Sequence, residues 1–165
     1  MSDASPRLAL PFIQPGQAQK ELFHNEALAL VDGLLHAAAE AGPTAAPPAA
    51  PAAGQCWIVA ASPTGAWSGH GHALAMWTDG GWRFAAPVPG MLVWNKAAAH
   101  WLYWGGTAWS SGEVPAAKLV VGGQQVVGNR QPAVPSPSGG TTIDAEARAA
   151  VAAVIVALRS HGLID

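Results

Sequence analysis

Charge is scarce in this sequence. Of its 165 residues, 11% are Asp, Glu, Lys or Arg, where about 25% is usual for a soluble globular domain. A free monomer keeps more charge on its surface for solubility. The shortage therefore points to a surface partly covered by other subunits, or to dilution of the count by Ala, Gly and Pro. Lys and Arg number eight against ten Asp and Glu, for a net charge of −2. They form no basic run. Nucleic-acid binding needs a positive patch that displaces counterions, so nucleic acid is excluded as a partner. The longest apolar run, "AAVAAVIVAL" at 149–158, is about half of a ~20-residue membrane span. Membrane insertion is not expected. Met1 leads into "SDASP" rather than a basic and then apolar run, so no signal peptide is expected. The single cysteine, Cys56, excludes an internal disulfide and fits a reducing compartment.

Groups that converge for catalysis are also lacking. His70-Gly71-His72 offers two imidazoles, but the spacing is poor for zinc and no Cys or carboxylate adjoins it. No metal or cofactor is expected. Cys56 precedes Trp57 at the start of a strand and reads as a buried small hydrophobe. Asp32, Glu113 and Asp144 fall in separate elements, so no acid/base pair of the glycosidase type is assembled. Neither a Gly-x-Ser-x-Gly elbow nor a phosphate-cradling Gly-Lys-Ser/Thr loop occurs. The chain does not read as an enzyme.

What is present divides the chain into an α+β sequence of parts. Residues 1–41 read as an arm and a helix. Pro6, Pro11 and Pro15 disfavour a helix over 1–16, which is expected to be extended. Over 17–39, Leu22, Phe23, Ala27, Leu30, Val31, Leu34 and Leu35 recur near a 3.6-residue spacing and predict a helix with one apolar face. Asn25 is a candidate internal N-cap. Residues 42–53, "GPTAAPPAAPAA", read as an extended Pro/Ala linker. Residues 54–127 form a Trp-rich β-module, with all eight tryptophans between Trp57 and Trp109. Short apolar runs alternate with Gly-rich turns, predicting a meander of five or six antiparallel strands. "MWTDGGWRF" is the clearest hairpin, with Asp79-Gly80 supplying residues that tolerate positive φ; "LYWGGTAW" is the second. Residues 128–143 are a Pro/Ser/Gly linker. Residues 144–165 carry a C-terminal helix over 144–161, with Asp144 as N-cap and Gly162 as the stop.

The tryptophans admit two roles. Each buries a large area in a small sheet, and cross-strand aromatic pairs stabilise hairpins. Sugar rings also stack on exposed indoles. Trp101 and Trp104 lie on opposite faces of one strand. Both are core only if both faces are covered, so one face is expected to meet another chain or a ligand. Trp94, Trp101 and Trp104 are the candidates for sugar stacking.

"LPFIQPGQAQKELFHNEALALVDGLL" at 10–35 resembles the opening of a family of N-terminal attachment domains. These occur on tail-fibre and spike proteins of tailed phages and of alphaproteobacterial gene transfer agents. "PPAAPAAGQCWIVAASPTGAWSGHGHALAMWTDGGWRF" at 47–84 and "VVGNRQPAVPSPSGGTTIDAEARAAVAAVIVALRSHGLI" at 126–164 resemble its later segments. The resemblance implies a structural virion protein without catalytic residues, working as a base or adaptor for receptor-binding apparatus. The expected setting is a phage-like particle assembled in the bacterial cytoplasm. Many relatives continue into a long fibre, whereas this chain is expected to end after its last helix and receive a separate fibre protein. A cyclic homo-oligomer is the expected form, a pentamer for a capsid vertex or a trimer for a tail fibre. Leu8, Leu10, Phe12 and Ile13 are expected to dock on capsid or tail subunits or on a sister copy. Val151, Val154, Ile155 and Leu158 are expected to contact copies or the fibre. Removal of residues 1–15 should then abolish incorporation while the β-module stays folded. The alternative is a carbohydrate-binding module that contacts host capsular polysaccharide directly.

Overall fold

The computed structural model describes residues 4–13, 20–142 and 144–165, with side chains in the first helix from Phe23 onward. The chain divides into two compact units, Met1–Val114 and Pro115–Asp165. The α+β class follows the sequence expectation, but the hairpin near residue 120 belongs to the second unit and not to the Trp-rich module.

In the first unit, helix α1 spans Lys20–Leu34 and strand β1 spans Ala38–Ala39. Strands β2 (Cys56–Ile58), β3 (Leu74–Thr78) and β4 (Gly81–Ala85) form one antiparallel sheet. Strands β5 (Leu92–Asn95), β6 (His100–Trp104) and β7 (Trp109–Ser111) form a second, to which β1 adds in parallel beside β5. The meander is therefore split between β4 and β5. Pro87 and Pro89 lie in the gap, where missing N–H donors prevent continuous pairing.

The expected Pro/Ala linker begins as part of the body. The Glu40 N–H donates to Cys56 O and Thr44 N–H to Ile58 O, while Trp94 and Lys96 N–H donate to Ala37 and Ala39 O on the other side. Segment 37–44 thus stitches the two sheets together. Farther along, Ala60 and Thr64 N–H donate to Thr44 and Ala45 O. The composition is that of a linker, but these backbone groups are paired instead of solvated.

Strand alternation builds two core clusters. Cys56, Ile58, Leu74 and Met76 point to one side and join Ala37, Ala39, Val93 and Leu102. Trp57, Val59 and Ala75 point to the other and join Trp67, which sits on a short 3-10 turn at Gly65–Trp67 and is fully buried. Trp67 meets Trp82 edge-on with centroids 5.2 Å apart, and Trp57 and Trp77 also pack on Trp82. These four tryptophans are structural.

The turn between β3 and β4 is the expected one, with a different residue in the left-handed region. Gly81 takes φ 98°, and the Thr78 hydroxyl donates to Gly81 O and accepts from Gly80 N–H. Positive φ falls one residue after Asp79-Gly80, because Gly81 closes the ladder opposite Thr78.

The second unit holds a hairpin of β8 (Leu119–Val121) and β9 (Gln124–Val127) and helix α2 (Ala145–Ser160). The Asp144 carboxylate accepts from Ala147 N–H at 2.8 Å, as an N-cap should. Gly162 follows at φ 68° and ends the helix as expected. Gln131 then pairs with Ile164, and Arg130 donates to Ile164 O and reaches the Asp165 carboxylate at 3.2 Å.

Candidate functional site

The first helix ends at Leu34, short of the expected 39, and β1 takes Ala38–Ala39. The apolar residues of α1 keep the expected 3.6 spacing, but the helix is turned so that most of them face out. Phe23 is 79% exposed, and Ala27, Val31, Leu34 and Leu35 are exposed with it. Leu30 alone among the residues in question packs against the core. Residues 17–19 and the Leu22 side chain lie outside the described residues. The inward side of α1 is instead held by polar groups. Glu26 and Arg83 of β4 form a two-pronged ion pair, with Arg83 Nε and Nη2 donating to the two carboxylate oxygens at 2.5 Å. The hydrogen bond from Arg83 holds the Glu26 carboxyl below its usual range, and Glu26 raises Arg83 in return. Asn25 is not an internal cap: it lies within the helix, and its side chain clasps Ile13 by accepting from Ile13 N–H and donating to Ile13 O.

Over its described residues, 4–13, the arm is not the extended segment expected. Residues 4–11 fold into a tight loop, with Ser5 N–H donating to Leu10 O and Ala4 bridged to Pro11. Asp32, 2% exposed, accepts from the N–H groups of Arg7 and Leu8. The Arg7 guanidinium donates to the carbonyls of Asp32 and Gly33 in the last turn of α1 and of Leu35 and His36 just beyond it. The prolines permit this loop, and the acceptors of the helix hold it. Leu8 remains exposed, while Leu10, Phe12 and Ile13 are half-buried. Deletion of residues 1–15 would thus uncap α1 as well as remove the arm.

The outer face of the second sheet carries the other candidate. Register places Trp94 opposite Trp101 and Leu92 opposite Tyr103. Opposed residues share a face. The two indoles meet edge-on at 5.2 Å and 75°. Trp101 is 41% exposed, and Trp94 is half-buried beside it. Trp104 corrects the sequence reading. It is 6% exposed and packs inward against Trp109 and His72, so it offers no face to a sugar. The Trp109 indole N–H donates to His72 O at 2.8 Å, which fixes that corner.

The remaining polar groups do not converge on a reaction centre. His70 stacks flat on Phe84 at 3.7 Å, whereas His72 lies against Trp104. His70 also lines an open hollow of about 380 Å³ with Gly69, Gly71, Ala73, Trp82 and Phe84. The one charged lining group, Arg83, is already held by Glu26. His100 Nε2 and Ser111 Oγ are 2.6 Å apart. Only strand pairing across β6 and β7 brings them together, and sequence reading missed the pair. Among the described residues no carboxylate orients His100, and no group of three metal-ligating side chains occurs. Also among them, no helix is long and apolar enough to cross a membrane. On α2, Ile155 is 4% exposed within the single chain, which removes it from the predicted contact set. Val151 and Val154 are exposed and Leu158 is half-buried.

Fold and site together define a small α+β body sealed by tryptophans, with apolar side chains left on its first helix and an aromatic pair on one sheet. Residues 24–110, more than half of the chain, match the family described as "Protein of unknown function (DUF2793)", and the chain belongs to that family. No curated protein matches the chain.

Proposed function

We propose that the protein is a structural adaptor, the base of a receptor-binding spike or fibre on a phage-like particle such as a gene transfer agent. In this reading it works as a homo-oligomer and joins a separate fibre protein to capsid or tail subunits. The observation that carries the reading is the outward apolar stripe of α1. Phe23, Ala27, Val31 and Leu34 follow one another at spacings of four, four and three, on one side of a helix whose other side is pinned by Glu26, Asn25 and Asp32. An exposed apolar surface of this kind marks an interaction site. Low overall charge and the resemblance of residues 10–35 and 126–164 to attachment domains support the same reading. Deleting the gene from a producing strain should leave particle yield unchanged and lower adsorption to host cells at least tenfold. Unchanged adsorption would contradict the proposal.

A second reading rests on the exposed pair Trp94 and Trp101, which supports direct contact with host capsular polysaccharide. Saccharide titration should then change tryptophan fluorescence, and Trp101→Ala should abolish the change. A flat titration of the folded protein counts against it.

A further inference from the structure

The second unit has little core of its own. Among the described residues its buried hydrophobics are Ile155 and Ile164, while Leu119, Val121, Val126, Val151, Val154 and Val156 are exposed. A unit of this size normally needs a disulfide, a metal or other subunits. The one cysteine, Cys56, lies in the other unit. A two-stranded hairpin such as β8–β9 is marginal in water by itself. Among the described residues no group of three metal-ligating side chains occurs, and other subunits are one means of covering this apolar surface.

The helix indicates which subunits. Ala147, Val151, Val154 and Leu158 follow one another at spacings of four, three and four, the alternation of a coiled-coil seam. No charged residue occurs between Arg148 and Arg159. An identical helix therefore lies against this seam without like-charge repulsion. Alanines 150 and 157 flank it and permit close approach. Ile155 lies beside the seam and is already buried within the single chain. In seam terms Val151 occupies an a position and Val154 a d position. A β-branched residue at d disfavours a two-stranded parallel coil and favours three or more strands.

We infer that α2 is one strand of a parallel bundle of three or more sister copies, closed along Ala147, Val151, Val154 and Leu158. This deepens the homo-oligomer part of the adaptor reading and names the occupant of the apolar face as a second copy of this chain. Two heptads associate weakly by themselves, and several chains gathered in a ring would raise their effective concentration.

Val156 supplies the control. It is 64% exposed and lies on the side of α2 roughly opposite the seam. Light scattering of the full chain over a range of concentrations should give the mass of at least three chains. Val156→Glu should retain that mass, and the double change Val151→Glu with Val154→Glu should reduce it to one chain. Because the double change also endangers folding, single cysteines give a second measurement. Val154→Cys should form chain-to-chain disulfides at least tenfold faster than Val156→Cys under mild oxidation. A wild-type monomer or dimer at every concentration, or equal cross-linking at the two positions, overturns the inference. A bundle that forms in solution but never enters a particle would sink the adaptor reading and leave this one standing.

Discussion

Cys56 opens β2 with its thiol in the core cluster, 1% exposed. Burial pushes its pKa up from the ordinary thiol range to about 11. At pH 8 the thiol is therefore protonated and shielded, and the thiolate is the reactive form. Iodoacetamide should leave the native protein unmodified over hours and label it fully in denaturant. Rapid native labelling would contradict this placement. Gly42 is the second residue with a sharp requirement. Its φ of 152° is outside the range most side chains adopt. A Cβ there would meet Ile58 Cβ at 2.6 Å and the Ile58 backbone at 2.9 Å and 3.0 Å. Gly42→Ala should cost about 2 kcal/mol or more, read as a lower midpoint in urea with the slope unchanged. Only one of the two roles is legible in the sequence. Cys56 beside Trp57 already reads as a small core residue, whereas the need for glycine at 42 arises from the close approach of 37–44 to β2, a long-range event.

Among the elements, α1 shows what a periodicity conveys and what it omits. The 3.6 spacing of Phe23, Ala27, Val31 and Leu34 predicts a helix, and a helix forms. The same spacing does not say which side the body covers. Polar residues decide that: Asn25 holds Ile13, Glu26 holds Arg83, and Asp32 holds the arm. These contacts span long sequence separations and leave no local mark. Two changes test them. Arg7→Ala removes the donors to the last carbonyls of α1 and should destabilise the first unit by about 1–2 kcal/mol, seen as a thermal midpoint lower by about 3–6 °C. Unchanged stability would mean the arm is dispensable to its own chain. The Glu26–Arg83 pair is partly exposed, so screening reduces its contribution to about 0.5 kcal/mol. Glu26 has a lowered folded pKa, so its contribution is full above its ordinary value of 4.5 and is lost as pH falls through the lowered one. The stability gap between wild type and Glu26→Gln should be constant near pH 7 and close in acid. A gap that persists well below the ordinary carboxylate pKa would show that charge is not its cause. By contrast α2 was legible almost to the residue, because its Asp144 cap, its dipole-matched Glu146 and Arg159 and its Gly162 stop are all local.

For the molecule as a whole, the family match covers residues 24–110 and lies within the first unit. The two units differ in kind. The first buries Trp57, Trp67 and Trp104, and the second leaves most of its valines exposed. The aromatic candidates divided for a physical reason. Alternation on β6 put Trp101 outside and Trp104 inside, as strand geometry requires, but only the packing of Trp109 and His72 shows which side is closed. In the adaptor reading proposed above, this chain is built into a particle. The most direct measurement is density-gradient fractionation of particles from cells that make the full chain, with quantitative mass spectrometry of each fraction. The account predicts that the chain sediments with the particles, at a fixed copy number per particle that is a multiple of its oligomer. Recovery of the folded chain only in the slow, particle-free fractions would contradict it.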